Sequence, residues 1–189
     1  MVADAPVPKA EKDFIKVKTV AVALNPSDWK HIDWRADKNA VVGFDYAGYV
    51  EEVGPDVKKQ FQKGDRVLGF THGCESTHLH NILPTAGLMG TLVDVEDILT
   101  SSPANTLNHA TGAFAEHVIG KGHVAMAIPT SVNFDDASTL GAGLTTIGLS
   151  LYKSLELPLP SLPSEEPFPV FVYGGSTATG ILAIQFLKL

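Results

Sequence analysis

The last twenty residues of the chain, VFVYGGSTATGILAIQFLKL, constrain its fold more than any other stretch. Residues 170–173 are apolar without alternation, which is typical of a parallel strand that is buried on both faces. A turn built only of small residues follows, and residues 181–189 then continue at helical spacing without proline or glycine. The order of strand, glycine turn and helix predicts a βα unit whose turn can hold an anion.

The small residues of this turn are candidate ligands for a dinucleotide. Such a unit opens the Rossmann fold, in which glycines let the backbone turn tightly and approach a pyrophosphate. Free N–H groups and the helix dipole hold the anion, and the hydroxyls of Ser176 and Thr177 can add donors. An ordinary strand–helix connection is the alternative. The candidate cofactor-binding residues are Gly174, Gly175, Ser176, Thr177, Ala178, Thr179 and Gly180.

Composition argues against several classes of partner. The net charge of −7 disfavours nucleic acid and anionic membrane surfaces, and no run of residues has the length of a membrane span. The single cysteine, Cys74, excludes an intramolecular disulfide. The first residues lack the apolar core of a signal peptide. We therefore expect a soluble, cytoplasmic protein, or a piece of one.

Short strands with turn signals between them predict a small β-barrel before residue 130. The first strand, residues 14–22, alternates lysines with aliphatic side chains and ends before a helical turn that starts at Ser27 or Asp28. We expect Asp28 and Asp45 to make turn or structural hydrogen bonds. Further strands are predicted at residues 41–53, 61–70, 112–119 and 123–128.

The character of the chain changes at residue 131. Asn133 is a candidate helix N-cap, with Asp135 and Asp136 in the first turn, where carboxylates interact favourably with the helix dipole. Apolar residues recur at helical spacing as far as residue 155, and a proline-rich acidic connection follows. The predicted fold class is mixed α/β. Its two parts are a barrel domain over residues 1–130 and, over residues 131–189, a linking helix, the connection and the start of a truncated Rossmann domain.

Residues 74–103 interrupt the barrel pattern as an irregular insert. A loop of about 30 residues without structure is uncommon in a compact domain. Four side chains in or beside this insert, three imidazoles and one thiolate, can in principle bind zinc, but their spacing matches no standard zinc finger. We therefore favour a polar loop and predict no metal site. The group comprises His72, Cys74, His78 and His80.

Six short motifs precede the glycine turn, in the order NPSDWK (25–30), GFDYAG (43–48), VG (53–54), KGDRV (63–67), GAFAE (112–116) and GAGLTT (141–146). Together they resemble the medium-chain dehydrogenase/reductase superfamily, whose members join a GroES-like barrel to a Rossmann domain. The first motif and the glycine turn are most similar to the zinc-free fungal enoyl reductases. That group includes free-standing enzymes that serve polyketide synthases. It also includes oxidoreductases of toxin pathways.

This resemblance implies hydride transfer without zinc. Zinc members of the superfamily supply a Cys where Asn25 stands and a His-Glu pair where Phe44 and Asp45 stand, and no thiolate or imidazole remains there. Hydrogen-bond donors must then take up the developing enolate charge. Lys30 and Thr146 occupy the positions with such roles in the enoyl reductases. A solvated lysine and a packed helix threonine are the alternatives.

The resemblance also implies NADP as the cofactor, an enoyl or quinone-like substrate, and a polyketide synthase of secondary metabolism as a partner. NAD stays open, because the residue that reads the ribose lies about 20 residues past the turn, beyond Leu189. The chain departs from the family pattern in lacking a strand before residue 5, in the insert at 74–103 and in ending within the first Rossmann helix. We expect a chain truncated at both ends.

These departures leave alternatives open. The insert is hypothesised to be a retained intron or a gene-model error, which transcripts dominated by the insert would contradict. A non-catalytic remnant, or a barrel fragment that binds a partner, is the second interpretation of the whole chain. A metal-binding loop protein is the third. A lone strand and helix cannot bury their apolar faces, so the chain as given is expected to bind the cofactor weakly.

Overall fold

The computed structural model of the chain describes residues 4–10, 12–35, 40–71 and 111–189. The insert and the four candidate metal ligands lie outside these ranges. The strands form one five-stranded antiparallel sheet in the order β4-β1-β2-β3-β5. The sequence predicted a small β-barrel before residue 130, and the structure confirms short strands there that pair in this antiparallel sheet. The strands are β1 (Phe14–Ala23), β2 (Asp45–Val53), β3 (Arg66–Phe70), β4 (His117–Lys121) and β5 (Met126–Ala127).

The alternating sequence of strand β1 gives the strand one buried face. Ile15 and Val17 have 0% of their surface exposed. Lys16, between them, is also nearly buried, because its ammonium pairs with Glu52 and lies 3.6 Å from the carboxylate of Glu51. The aliphatic stem of a lysine packs well under such an ion pair. The lysine face of β1 is therefore partly covered by its neighbour β2.

Tyr46 fills the centre of the core beneath this sheet. Its side chain is fully buried and packs in the same cluster as Ile15 and Val17. A Cβ atom added at Gly69 or Gly120 would lie 2.6 or 2.2 Å from the Tyr46 hydroxyl oxygen. The two glycines, on β3 and β4, thus leave the space that the phenol ring occupies.

The helices of the described residues follow the strands or the glycine turn along the chain. Helix α1 (Pro26–Arg35) follows β1, whereas α2 (Phe134–Ser138) and α3 (Gly141–Ile147) follow β5. Helix α3 continues as a π-helical segment, Gly148–Ser154, and α4 (Ala178–Phe186) follows the glycine turn. None of these helices is both long and apolar enough to span a bilayer.

The helix expected between residues 133 and 155 is split between α2 and α3. Thr139 is the C-cap of α2, and α3 starts at Gly141. A Cβ atom at Gly141 would lie 2.3 Å from the carbonyl oxygen of Gly69 on β3. Helix α3 therefore begins where its backbone meets the sheet, a contact that helical periodicity alone does not reveal.

Asn133 caps α2 as the sequence predicted. Its side-chain oxygen accepts a hydrogen bond from the backbone N–H of Asp136 at 2.7 Å. Replacing Asn133 with alanine is expected to lower the free energy of unfolding by about 1 kcal/mol, because that N–H loses its partner. Urea denaturation measures the loss. Asn133→Ser is the matched control and should retain most of the stability; an equal loss in both variants would contradict the capping explanation.

Residues 170–173 do not form the predicted strand. The side chains of Phe171 and Tyr173 are 88% and 92% exposed, so the expectation of burial on both faces is wrong for this segment. A parallel strand needs neighbours that complete its hydrogen bonds. All the strands of the described residues belong to the antiparallel sheet, and none of them pairs with this segment.

The turn and the helix of the βα unit do form, and they pack on α3. Ile147, Leu151 and Ala183 form a small core of their own between α3, its π-helical continuation and α4. A Cβ atom at Gly143 would lie 2.7 Å from the Cδ1 atom of Leu182. The absence of a side chain at Gly143 thus allows α4 to approach the helix that carries Thr146.

Candidate active site

Asp45, the first residue of β2, is the centre of a buried hydrogen-bond network. Its side chain is 1% exposed. One carboxylate oxygen accepts a hydrogen bond from the side-chain amide of Asn25 at 2.9 Å, and the other accepts from the backbone N–H of Ala142 at 2.7 Å. A single carboxylate therefore connects the start of α1, the start of β2 and the start of α3.

The electrostatics of this network are dominated by burial. Burial raises the pKa of Asp45 to about 6; the hydrogen bonds from Asn25 and Ala142 oppose the shift, and the nearby charge of Asp28 adds to it. Burial also raises the pKa of Asp28, against hydrogen bonds from the backbone amides of Asn25 and Phe44. The network thus holds two carboxyl groups whose charged forms are costly to bury.

Two further contacts fix helix α1, one within its own first turn and one to the residue before β2. The backbone N–H of Asn25 donates to the Asp28 carboxylate at 2.6 Å, and the ring of His31 meets the ring of Phe44 edge-on at a centroid distance of 4.9 Å. These contacts hold the buried face of α1. They leave its opposite face to solvent, where Lys30 is located.

Lys30 is exposed on α1. Its ammonium lies 5.7 Å from the centre of the Trp29 ring, and Trp29 is itself 55% exposed. A cation–π contact at this distance on the surface is weak. The ammonium is therefore accessible to a carbonyl or anionic oxygen of a bound molecule.

Thr146 is exposed on α3, and its hydroxyl is already engaged within the helix. The Oγ1 atom donates to the carbonyl oxygen of Ala142 at 2.7 Å. Ala142 is the residue whose N–H binds Asp45. Since the hydroxyl proton is in use, the remaining capacity of Thr146 toward a ligand is that of an acceptor.

The glycine turn is closed by its own backbone and by Thr177. Gly174 has a φ of +81°, in the left-handed region. The Thr177 hydroxyl donates to the carbonyl of Gly174 at 2.8 Å and accepts from the N–H of Gly180 at 3.0 Å. A Cβ atom at Gly180 would lie 2.2 Å from the Gly174 carbonyl oxygen. Thr177 therefore caps α4, and Ser176, which is exposed, keeps its hydroxyl for other contacts.

The sequence-predicted residues fall into two groups. Thr146 lies on α3 and the glycine turn leads into α4. These two helices pack against each other around Gly143. Lys30 lies on α1, which connects to α3 through Asn25 and Asp45. The bond from Ala142 to Asp45 joins residues 97 positions apart. Structural hydrogen bonds were expected from Asp45, but no residue pattern in the sequence identifies this partner.

Within residues 4–10, 12–35, 40–71 and 111–189, no three or more His, Cys, Asp or Glu side chains converge in a way that could hold a metal ion. The group of His72, Cys74, His78 and His80 lies outside those ranges.

The sequence is similar to known oxidoreductases over its whole length. Residues 11–130 match the alcohol dehydrogenase GroES-like domain. The chain is 45% identical over 189 residues to the trans-enoyl reductase TOXD of Cochliobolus carbonum, covering 100% of this chain and 54% of that protein. It is 40% identical over 200 residues to the trans-enoyl reductase resD of Aspergillus sclerotiorum, covering 100% of this chain and 48% of that protein. The chain thus spans about half the length of the curated relatives it matches.

Solved structures agree on the fold. An alcohol dehydrogenase superfamily protein from Novosphingobium aromaticivorans superposes with a TM-score of 0.65 at 20% identity, covering 100% of this chain and 46% of that one. The mycobacterial protein Rv1454c, solved in complex with NADPH, superposes with a TM-score of 0.57 at 20% identity, covering 97% and 44%. The domain match, this fold and the six motifs agree. The chain belongs to the alcohol dehydrogenase GroES-like domain family.

Proposed function

We propose that the chain is part of an NADP-dependent, zinc-free oxidoreductase that reduces the carbon–carbon double bond of an α,β-unsaturated carbonyl compound. The observation that carries the proposal is the similarity to trans-enoyl reductases, which covers 100% of this chain and so includes the sheet, both candidate-site helices and the glycine turn. An enoyl group is the favoured substrate and a quinone-like compound the alternative. A polyketide synthase as partner and a cytoplasmic role in secondary metabolism remain predictions from the resemblance.

The Asn25–Asp45 pair supports chemistry without zinc. In zinc members of the superfamily these positions supply metal ligands, whereas here the two side chains hydrogen-bond directly to each other. An amide is a poor zinc ligand. Asp45 also has its second oxygen occupied by the N–H of Ala142. The residues present therefore satisfy one another without a metal ion.

The glycine turn fits the pyrophosphate of a dinucleotide. Its backbone closes without a side chain at Gly180. The N–H of Gly180 is capped by the Thr177 hydroxyl, whereas the N–H groups that precede it in α4 have no acceptor within the helix. Ser176 is exposed beside them and can add a hydroxyl donor. The reduced cofactor, NADPH, would supply the hydride when bound. The NADPH complex of the structural relative Rv1454c supports the choice of nucleotide.

Lys30 would contact the substrate, whereas Thr146 would contact the cofactor. The exposed ammonium of Lys30 can donate a hydrogen bond to the substrate carbonyl oxygen, where negative charge develops as the hydride arrives at the β-carbon. The Thr146 oxygen can accept a hydrogen bond from a ribose hydroxyl. Because its own proton is held by Ala142, Thr146 positions the cofactor and is not an acid.

The test measures NADPH oxidation by the complete gene product with a crotonyl thioester as substrate. Lys30→Met is expected to lower kcat about 100-fold, because one oxyanion donor is lost. Thr146→Val should mainly raise the KM for NADPH. Lys63→Met, which removes another exposed lysine, is the matched control and should leave the rate unchanged. A kcat for Lys30→Met within about two-fold of the unsubstituted enzyme, or inactivation by a chelator, would contradict the mechanism.

A non-catalytic remnant is the second candidate function. It is favoured by residues 170–173, where Phe171 and Tyr173 are exposed instead of paired in a sheet. A remnant would oxidise no NADPH with any enoyl or quinone-like substrate. The same assay on the unsubstituted gene product therefore decides between the two candidates.

A further inference from the structure

We infer that Asp45 is a positioning residue that fixes helix α1, which carries Lys30, relative to helix α3, which carries Thr146. The inference rests on the proposed function for the roles of those two residues. Asp45 itself is 1% exposed and so has no access to a substrate. Its effect on the reaction would pass through the two helices that it joins.

Each link between the two helices is a hydrogen bond of ordinary length. On the α1 side, Asn25 is locked to the first turn, because its backbone N–H binds the Asp28 carboxylate at 2.6 Å and its carbonyl accepts from the Asp28 N–H at 3.0 Å. The Asn25 amide then donates to Asp45 at 2.9 Å. Helix α1 is thus connected rigidly to the carboxylate.

The α3 side continues the same chain of contacts. Ala142 donates its N–H to the other oxygen of Asp45 at 2.7 Å. The carbonyl of Ala142 accepts from the Thr146 hydroxyl at 2.7 Å. Asn25, Asp45 and Ala142 therefore stand between the helix of Lys30 and the side chain of Thr146.

Close packing leaves this connection little freedom. A Cβ atom at Gly141 would lie 2.8 Å from the Asp45 carboxylate and 2.3 Å from the carbonyl of Gly69. Helix α3 can therefore approach the carboxylate only because Gly141 has no side chain. In a buried site, a hydrogen bond that is lost is not readily replaced by bulk water. Removing the carboxylate should consequently let the two helices move independently.

The first test measures the distance between the helices. Spin labels are attached to cysteines replacing Asp33 on α1 and Thr139, two residues before α3, both exposed, in a Cys74→Ser background. The distance distribution is expected to be narrow in the parent protein and broad in Asp45→Ala. Asp45→Asn should restore the narrow distribution, since its amide can accept from Ala142 and donate to the Asn25 oxygen after that amide flips. A narrow distribution in Asp45→Ala would overturn the inference.

The second test measures NADPH oxidation by the complete gene product. Asp45→Ala should lower kcat about ten-fold or more while the KM for NADPH changes little, because Lys30 is displaced from the reacting oxygen. Asp45→Asn should recover most of that loss. Val67→Ala, which removes buried side-chain volume in the core, is the control for general destabilisation and should leave kcat unchanged. Equal kcat values in Asp45→Asn and Asp45→Ala would overturn a positioning role.

The two readouts separate failure of the inference from failure of the proposed function. If the unsubstituted protein reduces no enoyl substrate but the distances respond as expected, the proposed function fails and the coupling of the helices stands. If Asp45→Ala does not fold, Asn25→Ala breaks the same connection from the α1 side and leaves the bond to Ala142 intact. That variant should also broaden the distance distribution, and an unchanged distribution would contradict the coupling.

Discussion

As the pH rises from about 4 to about 7.5, the free energy of unfolding of the Asp45→Asn variant is expected to increase by about 3 kcal/mol relative to that of the unsubstituted protein. The pKa of Asp45 is raised from 3.8 to about 6 in the folded state, chiefly by burial. A shift of one pKa unit corresponds to about 1.4 kcal/mol of differential stability. The side chain is 1% exposed, so solvent does little to screen this effect.

The sign follows from proton binding. Because the folded-state pKa lies above the unfolded value, the native state binds more protons than the unfolded state between the two values. The free energy of unfolding therefore falls as the pH rises from 3.8 to about 6. Above that range the full cost of the buried charge is present. Asparagine at position 45 carries no charge and is free of this cost.

Urea denaturation of both proteins across this pH range measures the effect. The difference between the two unfolding free energies is the informative quantity, because titratable groups distant from Asp45 contribute nearly equally to both proteins. Val67→Ala is the control, since it removes buried apolar volume and its difference from the unsubstituted protein should not vary with pH. A difference for Asp45→Asn that is constant across the range would show that the carboxyl group does not carry the predicted burial cost.

Local patterns in the sequence predicted the parts of the fold that local physics determines. Strand β1 was predicted at residues 14–22 from its alternation, and it runs over Phe14–Ala23. The cap at Asn133 was predicted from residue type and is formed. In both cases the information lies within a few neighbouring residues. Contacts with distant residues therefore do not change the strand at β1 or the cap at Asn133.

Strand boundaries were less predictable because they depend on distant partners. The second strand was expected from residue 41, but β2 starts at Asp45. Gly43 has a φ of +100°, and its carbonyl accepts from Ala113 at 3.0 Å. The segment before β2 thus pairs with residues after 111 in irregular geometry. The apolar side chains of this segment therefore indicate that it is buried, and not that it pairs as a regular strand.

The sequence motifs place the candidate residues on elements of the fold but do not predict the bonds that connect those elements, and the functional roles of the residues stay predictions. The motifs identified Lys30, Thr146 and the glycine turn, all of which lie on α1, α3 or the start of α4. The bond between Asp45 and Ala142 spans 97 positions and involves a backbone N–H, for which no residue type is diagnostic. The failed strand at 170–173 has a related cause, since periodicity describes what a segment can bury and not whether a partner is present.

Replacing Gly180 with alanine is expected to release α4 from the glycine turn. The new Cβ atom would lie 2.2 Å from the carbonyl oxygen of Gly174 and 2.9 Å from the Cα atom of Gly175. Both are backbone atoms within the same tight turn, so neither can move aside as a flexible side chain would. We expect a loss of about 3 kcal/mol in the stability of α4 against local opening. The sheet, with its own core, should be unaffected.

Amide hydrogen exchange resolved by residue measures this local opening. The N–H groups of Ile181 and Leu187, which donate to Thr177 and Ala183, should exchange about 100-fold faster in Gly180→Ala. Those of β1 and β2 should keep their protection. In the complete gene product, the affinity for NADPH should fall by a similar factor if the turn holds the pyrophosphate.

Gly148→Ala is the matched control, because it makes the same chemical change in a different space. Gly148 has helical dihedral angles, φ −56° and ψ −45°, and a Cβ atom there would meet nothing within 4 Å. Alanine at this position should stabilise the helix by up to about 1 kcal/mol. Equal acceleration of exchange in α4 by both substitutions would contradict the steric explanation, because a Cβ atom at position 148 meets nothing within 4 Å. Acceleration by Gly180→Ala alone would mean that the turn closes because no side chain stands at position 180.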